Sequence, residues 1–304
     1  MSATDVTAPG TTGLVDQAAV ETEHEAAVSV VDMPVSRKAV RTPAERLRRG
    51  VRAALPPLAV FVVIVAIWYG ANAILAPGQK FLVPTIDQVI VQGFGGPSGA
   101  QILIAVLRTT GVAITGLAIA AVIGIAWAIA MSLARWVQRS TYPYAVILQC
   151  IPILALVPLI GVWFGYEFNA RVVVCVMIAL FPMVANTLFG LQSVERSQHE
   201  LFQLQKASKW TVLTKLMLPA ALPSIFLGLR TSAGLAVVGA IVGDFFFQRG
   251  QPGVGSLLQT YARLLSYPQL FAAIIASALL GVAMFFIFGL IAKIAVGKWY
   301  DPVN

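Results

Sequence analysis

The chain reads as an all-α polytopic membrane protein with six transmembrane helices, and three features of the sequence say so. Only 11% of its 304 residues are charged and 58% are hydrophobic, whereas roughly a quarter of an ordinary soluble domain is charged. Mean hydropathy is +0.83. Asp, Glu, Lys and Arg are absent from 53–79, 109–134, 140–166, 172–194 and 264–292, each stretch longer than the roughly 20 residues that cross the hydrocarbon core as a helix. A sixth apolar run, 220–243, is interrupted only by Arg230. Strands of a membrane barrel would alternate instead.

A net charge of +8 would raise nucleic acid as a partner for a soluble protein. Here the basic residues stand at the ends of the spans, where topology requires them, and no nucleic acid is implied. With six crossings and an inside N-terminus, fifteen basic residues fall inside and four, Lys80, Arg171, Arg249 and Arg263, fall outside. Both termini and the segment 194–220 are therefore expected in the cytoplasm, in a multi-pass cell membrane protein. Cys150 and Cys175 lie within apolar runs, with no metal-ligand or disulfide spacing, and read as small buried thiols.

Residues 1–36 hold six acids and no Lys or Arg, without helical or strand period, and are read as a disordered acidic tail. The basic juxtamembrane segment 37–53 follows, suited to anionic headgroups of the bilayer. The transmembrane domain is placed at 54–292 and a cytoplasmic tail at 293–304. The first span is expected near Leu55–Leu75, with Trp68 and Tyr69 as interface anchors. In the outside loop that follows, Thr85–Gln92 is expected as a short helix lying on the membrane. The second span, near Thr110–Leu133, is dense in Gly and Ala, which lets helix backbones approach closely in lipid.

The third span, Tyr142–Gly165, contains Pro143, Pro152 and Pro158. Proline removes a backbone donor, and a carbonyl freed at membrane depth needs protein or water beside it, so this broken helix is expected to line the interior. A short turn, Tyr166–Arg171, makes a tight hairpin with the fourth span, which ends near Leu191. The fifth span carries Arg230 about a third of the way along and Asp244 near its outer end. At 1.5 Å per residue the two are about 21 Å apart and cannot pair within the helix. Arg230 reads as snorkelling, as pairing with carbonyls or as touching solute; Asp244 as a helix-end partner to a neighbouring subunit or as lining the outer mouth. The sixth span, near Leu270–Ala292, closes on Lys293 and Lys298.

The longest polar interruption is Glu200–Pro219, and Pro219 and Pro223 there predict a helix break before the fifth span. On a helical wheel Trp210, Val212, Leu213, Leu216 and Met217 share an arc, which Lys209 enters with a stem that can lie along it while the amine snorkels. An interfacial helix resting on lipid is one reading of this pattern.

The other comes from resemblance. Glu200, position 206, Leu216 and Leu218-Pro219 keep the spacing of the EAA loop of ABC importer permeases. Leu201-Phe202 replace its two alanines, and Lys206 stands where the family has the glycine of a tight turn. Lys at positive φ is costly, which leaves room for a turn of another shape. Pro152 to Gly165, Phe181-Pro182, Asn186-Thr187 and Leu218 to Ile225 resemble permeases of the nitrate/sulfonate/taurine branch. Gly243 to Gly255 looks closest to members linked with thiamine precursors or riboflavin.

The resemblance implies a type I ABC importer permease fold and a bacterial cell membrane. It also implies a second permease copy, as a homodimer or with a sister chain, two cytoplasmic ATPase subunits and an extracytoplasmic solute-binding protein. ATP would belong to the partner subunits, since the chain contains no G-x-x-x-x-G-K-[ST] phosphate loop and no cofactor of its own is implied. Coupling to the ATPases would fall to Glu200, Lys206, Ala207, Ser208, Lys209, Trp210, Leu218 and Pro219. The translocation pathway would involve Pro152, Pro158, Trp163, Arg230 and Asp244. The rival is an ion-coupled secondary transporter, for which Asp244 is the one candidate acid within the spans. His24 lies in the tail and His199 in the polar segment, and no His/Cys/carboxylate cluster is expected to hold a metal, so neither a metal site nor a membrane-embedded enzyme is supported.

Overall fold

The computed structural model describes residues 43–297, with side chains from Leu55 onward; the acidic tail over 1–36, residues 37–42 and residues 298–304 lie outside the described part. All regular structure among the described residues is helical. The described residues up to Val65 fall in one unit and those from Ala66 in another. Helix α1 runs Pro43–Ile74, and its part Leu55–Ile74 is long and apolar enough to cross a membrane.

In the larger unit, a short helix α2 (Ile86–Gln88) runs on into a π-helical turn, Val89–Phe94. It starts on a capping box, in which the Thr85 hydroxyl accepts from the Gln88 amide while the Gln88 side chain accepts from the Thr85 amide. Then come α3 (Gly96–Leu133), α4 (Arg135–Cys150), α5 (Ile153–Phe164) and α6 (Phe168–Gln192). After α7 (Arg196–Leu204) and α8 (Lys209–Val212), α9 (Leu218–Phe246), α10 (Val254–Arg263) and α11 (Tyr267–Val296) complete the chain.

Five helical stretches are long and apolar enough to cross, and a sixth crossing exists only if α4 and α5 are counted together across a bend of 99°. The third span is thus no single rod. Pro152 cannot donate a backbone bond and biases Ile151 away from helical backbone, so the chain turns there. Cys150 ends α4 and is exposed, not buried as its apolar surroundings suggested. The second span begins well before Thr110, because the Gly/Pro-rich stretch after Gly95 opens a helix instead of a loop; Pro97 stands in its first turn, where its missing donor costs nothing. Within Thr85–Gln92, Val89 is buried against Ile102, Val254, Tyr261 and Ala272 while Ile90 and Val91 stay exposed. Trp68 donates to the Pro84 carbonyl at 2.8 Å and packs at a tilt on Phe271, which ties this corner together.

The core is the meeting of α3, α6 and α9. Val112, Ala113, Leu117 and Ala120 face Val172, Cys175 and Ala179, and Ala233, Ala236, Val237 and Ala240 close the third side. Small residues make the approach possible. A Cβ at Gly116 would overlap the Cys175 side chain, and one at Gly239 would come within 2.7 Å of the Cys175 backbone. The Cys175 thiol donates to the Ala236 carbonyl at 3.2 Å, and the Ser232 hydroxyl to that of Ala179 at 2.9 Å. Lipid tails are as apolar as these side chains, so contact and interhelical hydrogen bonds hold the helices together.

One end of this bundle is fastened by a buried ion pair. The Arg171 guanidinium lies 3.1 Å from the Asp244 carboxylate, with the two side chains 5% and 0% exposed. Arg171 also donates to the carbonyls of Phe247, Arg249 and Gln251, each at 2.7 Å. The Thr109 hydroxyl donates to Asp244 at 2.6 Å and accepts from the Val254 amide at 2.9 Å. A Cβ at Gly253 would collide with the same carboxylate. Three spans and the loop leading to α10 therefore share one knot, and Asp244 is sealed within the chain, neither at a subunit boundary nor lining a mouth. Helix α10 was hidden in what reads as a loop. Its signal is the spacing of Val254, Leu257, Leu258 and Tyr261, one helical face clustered with Val89 of the π-helical turn, Ile102 and Ala105 of α3, and Ala272 and Ala273 of α11.

Asp244→Ala leaves the Arg171 charge buried without its counter-ion, at an expected cost of about 3–5 kcal/mol. Arg171→Met is expected to cost at least as much, because three loop carbonyls lose their donor together. Thermal unfolding of the detergent-purified chain measures both; melting curves that match the unsubstituted protein would show that the knot contributes nothing.

Candidate functional site: the polar segment and the broken helix

At the other end of the bundle the polar segment is built from two short helices joined by a tight turn. Glu195 opens α7, and Glu200 on it faces solvent in an exposed pair with Arg196, 3.2 Å apart and one turn away. The helix stops in a Schellman arrangement: the Ala207 amide donates to the Phe202 carbonyl at 3.0 Å and the Lys206 amide to that of Gln203 at 2.9 Å. Lys206 itself takes φ +52°. The turn thus keeps the left-handed geometry that a glycine would supply, and no differently shaped turn is used. The two hydrogen bonds hold the lysine there against a strain of about 1–2 kcal/mol.

Ser208 caps the next helix, its hydroxyl accepting from the Thr211 amide at 3.2 Å. Lys209 and Trp210 open α8 and both are exposed. From α8 the chain passes through a π-helical turn, Leu213–Met217, straight into α9. The expected break at Pro219 and Pro223 is absent: the stretch Lys209–Phe246 is one membrane-length helical run. The reason is local. The carbonyl that the Pro219 ring would strike belongs to Lys215, which lies inside the widened π turn, and Pro219 stands in the first turn of α9.

The apolar arc packs on protein, not on lipid. Leu213 is fully buried and Met217 nearly so, against Leu188, Leu191 and Ala221, with Val212 and Leu218 beside them. Trp210 leaves the arc and stays 66% exposed. Glu200, Lys206, Ser208, Lys209 and Trp210 thus form a solvent-facing group, whereas Leu218 and Pro219 belong to the packed root of α9. Behind the turn a cleft of about 690 Å³ separates it from the α3–α4 junction, between Arg135 and Trp136 on one wall and His199, Gln203, Ala207 and Lys209 on the other.

The proposed pathway residues are scattered. Pro152 begins α5 and Pro158 lies within it; both are exposed, and Trp163 near its end is 67% exposed. Beside the α4–α5 bend is a cleft of about 280 Å³ among Gln149, Ile153, Ile178, Phe181, Pro182 and Leu235. Pro182 lacks the amide that the Ile178 carbonyl would otherwise accept from. Gln149 and Leu235, which sequence patterning passed over, belong to this cleft, while Asp244 is remote from it in the knot described above. Arg230 meets no carbonyl among the described residues. Its guanidinium lies 3.9 Å over the Phe285 ring on α11, in contact range of the space left by Gly289.

Lys206→Gly is expected to relieve the left-handed strain and to slow amide exchange at Lys206 and Ala207. Lys206→Val, which branching at Cβ disfavours further at positive φ, is expected to speed it. Hydrogen exchange with mass-spectrometric readout checks both, and equal exchange in the two variants would count against a strained turn.

The match to known proteins follows the same elements. The model of the binding-protein-dependent transport system inner membrane component matches residues 120–296, from within α3 through α11. The chain is 33% identical to the formylaminopyrimidine transport permease protein of Halalkalibacterium halodurans, over 76% of this chain and 91% of that one. It is 33% identical to the riboflavin transport system permease protein of Chloroflexus aurantiacus, over 54% and 60%. With the nitrate import permease protein of Leptolyngbya laminosa the identity is 27% over 86% and 96%. Among solved structures, an amino acid ABC transporter crystallised with histidines shares the fold, with a TM-score of 0.52 at 16% identity over 66% of this chain and 94% of that one. The chain belongs to the binding-protein-dependent transport system inner membrane components and is a permease subunit of an ABC importer.

Proposed function

We propose that the solvent-facing group at Glu200, Lys206, Ser208, Lys209 and Trp210 is the surface through which separate ATPase subunits drive this permease. The observation that carries the reading is the unbroken helical run Lys209–Phe246. A push on Trp210 is delivered along a continuous helical run that forms one side of the three-helix core. Glu200 is a polar contact of the joint and Trp210 its apolar anchor, left uncovered by the chain's own packing. Ala207 and Ser208 set the turn, and Leu218 and Pro219 root it.

Two ATPase subunits on the cytoplasmic side, each using ATP, serve a pair of permease copies, and the pair is a homodimer. The basic-residue asymmetry supports a bacterial cell membrane location with both termini and the coupling segment inside. A solute-binding protein delivers from the other side, where the Arg171–Asp244 knot holds the loop over 247–253. The exposed prolines Pro152 and Pro158, Trp163 and the cleft at the α4–α5 bend border the pathway together with Arg230. Asp244 has no part in it, since its carboxylate is occupied by Arg171 and Thr109. The solute belongs to one of two groups. Relatives named for sulfonate and nitrate import support a small anion, and those named for formylaminopyrimidine and riboflavin transport support a thiamine precursor or riboflavin.

Gentle purification of the chain is expected to bring an ATPase with it, and purified permease that transports on an ion gradient alone would overturn the reading. Glu200→Ala and Trp210→Ala are expected to leave the folded permease in the membrane while lowering ATP-driven uptake at least about tenfold, the loss of roughly 1.4 kcal/mol of contact free energy. Full ATP-dependent uptake in both variants would remove these residues from the joint. The compound retained by the binding protein identifies the solute group.

A further inference from the structure

Arg171 and Arg230 are both guanidinium groups within apolar helices, and the chain treats them in opposite ways. Arg171 has a carboxylate and three carbonyls. Arg230 has no ion pair and no hydrogen bond among the described residues, and its Nε is buried without a partner. It is held by shape alone, flat over Phe285 at 3.9 Å and against Gly289, where a Cβ would come within 3.0 Å of Nε. Stacking of this kind fixes the plane of the guanidinium and leaves its outer N–H groups unused.

Depth makes this unusual. Arg230 stands twelve residues past Leu218 on α9, about 18 Å along a helix, between a third and half of the way along the apolar run 220–243. A charge at that depth faces a polar interior or a water-filled passage. The adjoining face of α9 is unpartnered. Leu227, Thr231 and Val238 on it are exposed, and a Cβ at Gly234 would meet open space. The face reaches from Arg230 at the α11 groove to Leu235, which borders the cleft at the α4–α5 bend. The exposed stripe thus joins an uncompensated cation to the only membrane-depth cleft next to the broken helix among those described above.

We propose that Arg230 is a fixed-charge solute site within the passage. It takes an anionic or otherwise electron-rich oxygen group of the solute on its free N–H edge and excludes cationic solutes, with Phe285 as its positioning residue. This rests on the permease reading and narrows its solute, because a carboxylate, a sulfonate or a carbonyl-bearing ring is accepted and an ammonium is not. A low-dielectric wall strengthens the discrimination, since attraction and repulsion at one site grow together as water is withdrawn.

The experiment uses the whole transporter in membranes, with Cys150→Ser to remove the exposed native thiol and Thr231→Cys to place a reporter beside Arg230. Cys175 is fully buried and stays. The probes are an anionic and a cationic methanethiosulfonate, sulfonatoethyl and trimethylammonioethyl, and the readout is the ratio of their labelling rates. Adding Arg230→Gln is expected to lower the anionic-to-cationic ratio at least about tenfold, as loss of a neighbouring charge in a screened passage requires, while Arg230→Lys keeps most of it. Phe285→Leu is expected to lower it part of the way. Without any change at Arg230, raising the salt concentration is expected to shrink the ratio, which keeps the test alive if the glutamine variant does not fold. No labelling of the Thr231→Cys reporter in any nucleotide state, or a ratio that ignores both Arg230→Gln and salt, overturns the proposal. Either result leaves ATPase co-purification and ATP-driven uptake to be judged by themselves, so failure here is distinct from failure of the permease reading.

Discussion

The close approach of α3, α6 and α9 at Cys175 is the contact on which the rest of the structure depends. Gly116 comes from one side and Gly239 from the other, and each touches the same residue. In lipid no hydrophobic force drives helices together, so the gain must come from contact area and a few interhelical hydrogen bonds. Once these backbones are fixed, the two ends of the bundle acquire different characters. One end is locked by ionic chemistry, the other presents a polar joint.

The locked end concentrates charge where desolvation is most costly, and it offsets much of that cost, leaving Arg171 Nε and Asp244 Oδ1 without a hydrogen bond. Arg171 meets a carboxylate and three carbonyls, Thr109 bridges the carboxylate to the Val254 amide, and Gly253 supplies the space. A buried pair of this kind is weak evidence of net stability but strong evidence of a fixed arrangement, because removing either partner strands the other. The joint at the opposite end uses neutral devices: a Schellman turn, a serine cap and a π turn that admits Pro219 without breaking the helix. Together these devices join α8, the π turn and α9 into one continuous helical run.

Much of the membrane architecture was legible in the residues. Charge-free runs locate helices because hydrocarbon excludes charge, and the runs at 53–79, 172–194, 220–243 and 264–292 each contain a membrane-length helix. Proline signals were read less well. Pro152 does end a helix, yet Pro219 does not, and the same residue type gives both outcomes because only the second sits beside a widened turn. Patterning also passed over α10, Gln149 and Leu235, since a ten-residue amphipathic helix between Gly/Pro clusters resembles a loop until its partners are known.

The sequence by itself determined the membrane class, the helical secondary structure and the place of the polar segment between the fourth and fifth spans. These follow from local constraints: desolvation of charge, backbone hydrogen bonding in lipid and the residue preferences of caps. Only the tertiary structure decided which charges are compensated. Arg171 and Arg230 look alike as single cations at the edge of or within apolar runs, and Asp244 looks like a free acid. Counter-ions are recruited from residues distant in the chain, Arg171 lying 73 positions from Asp244. That pairing depends on where folded helices cross, which no local pattern encodes.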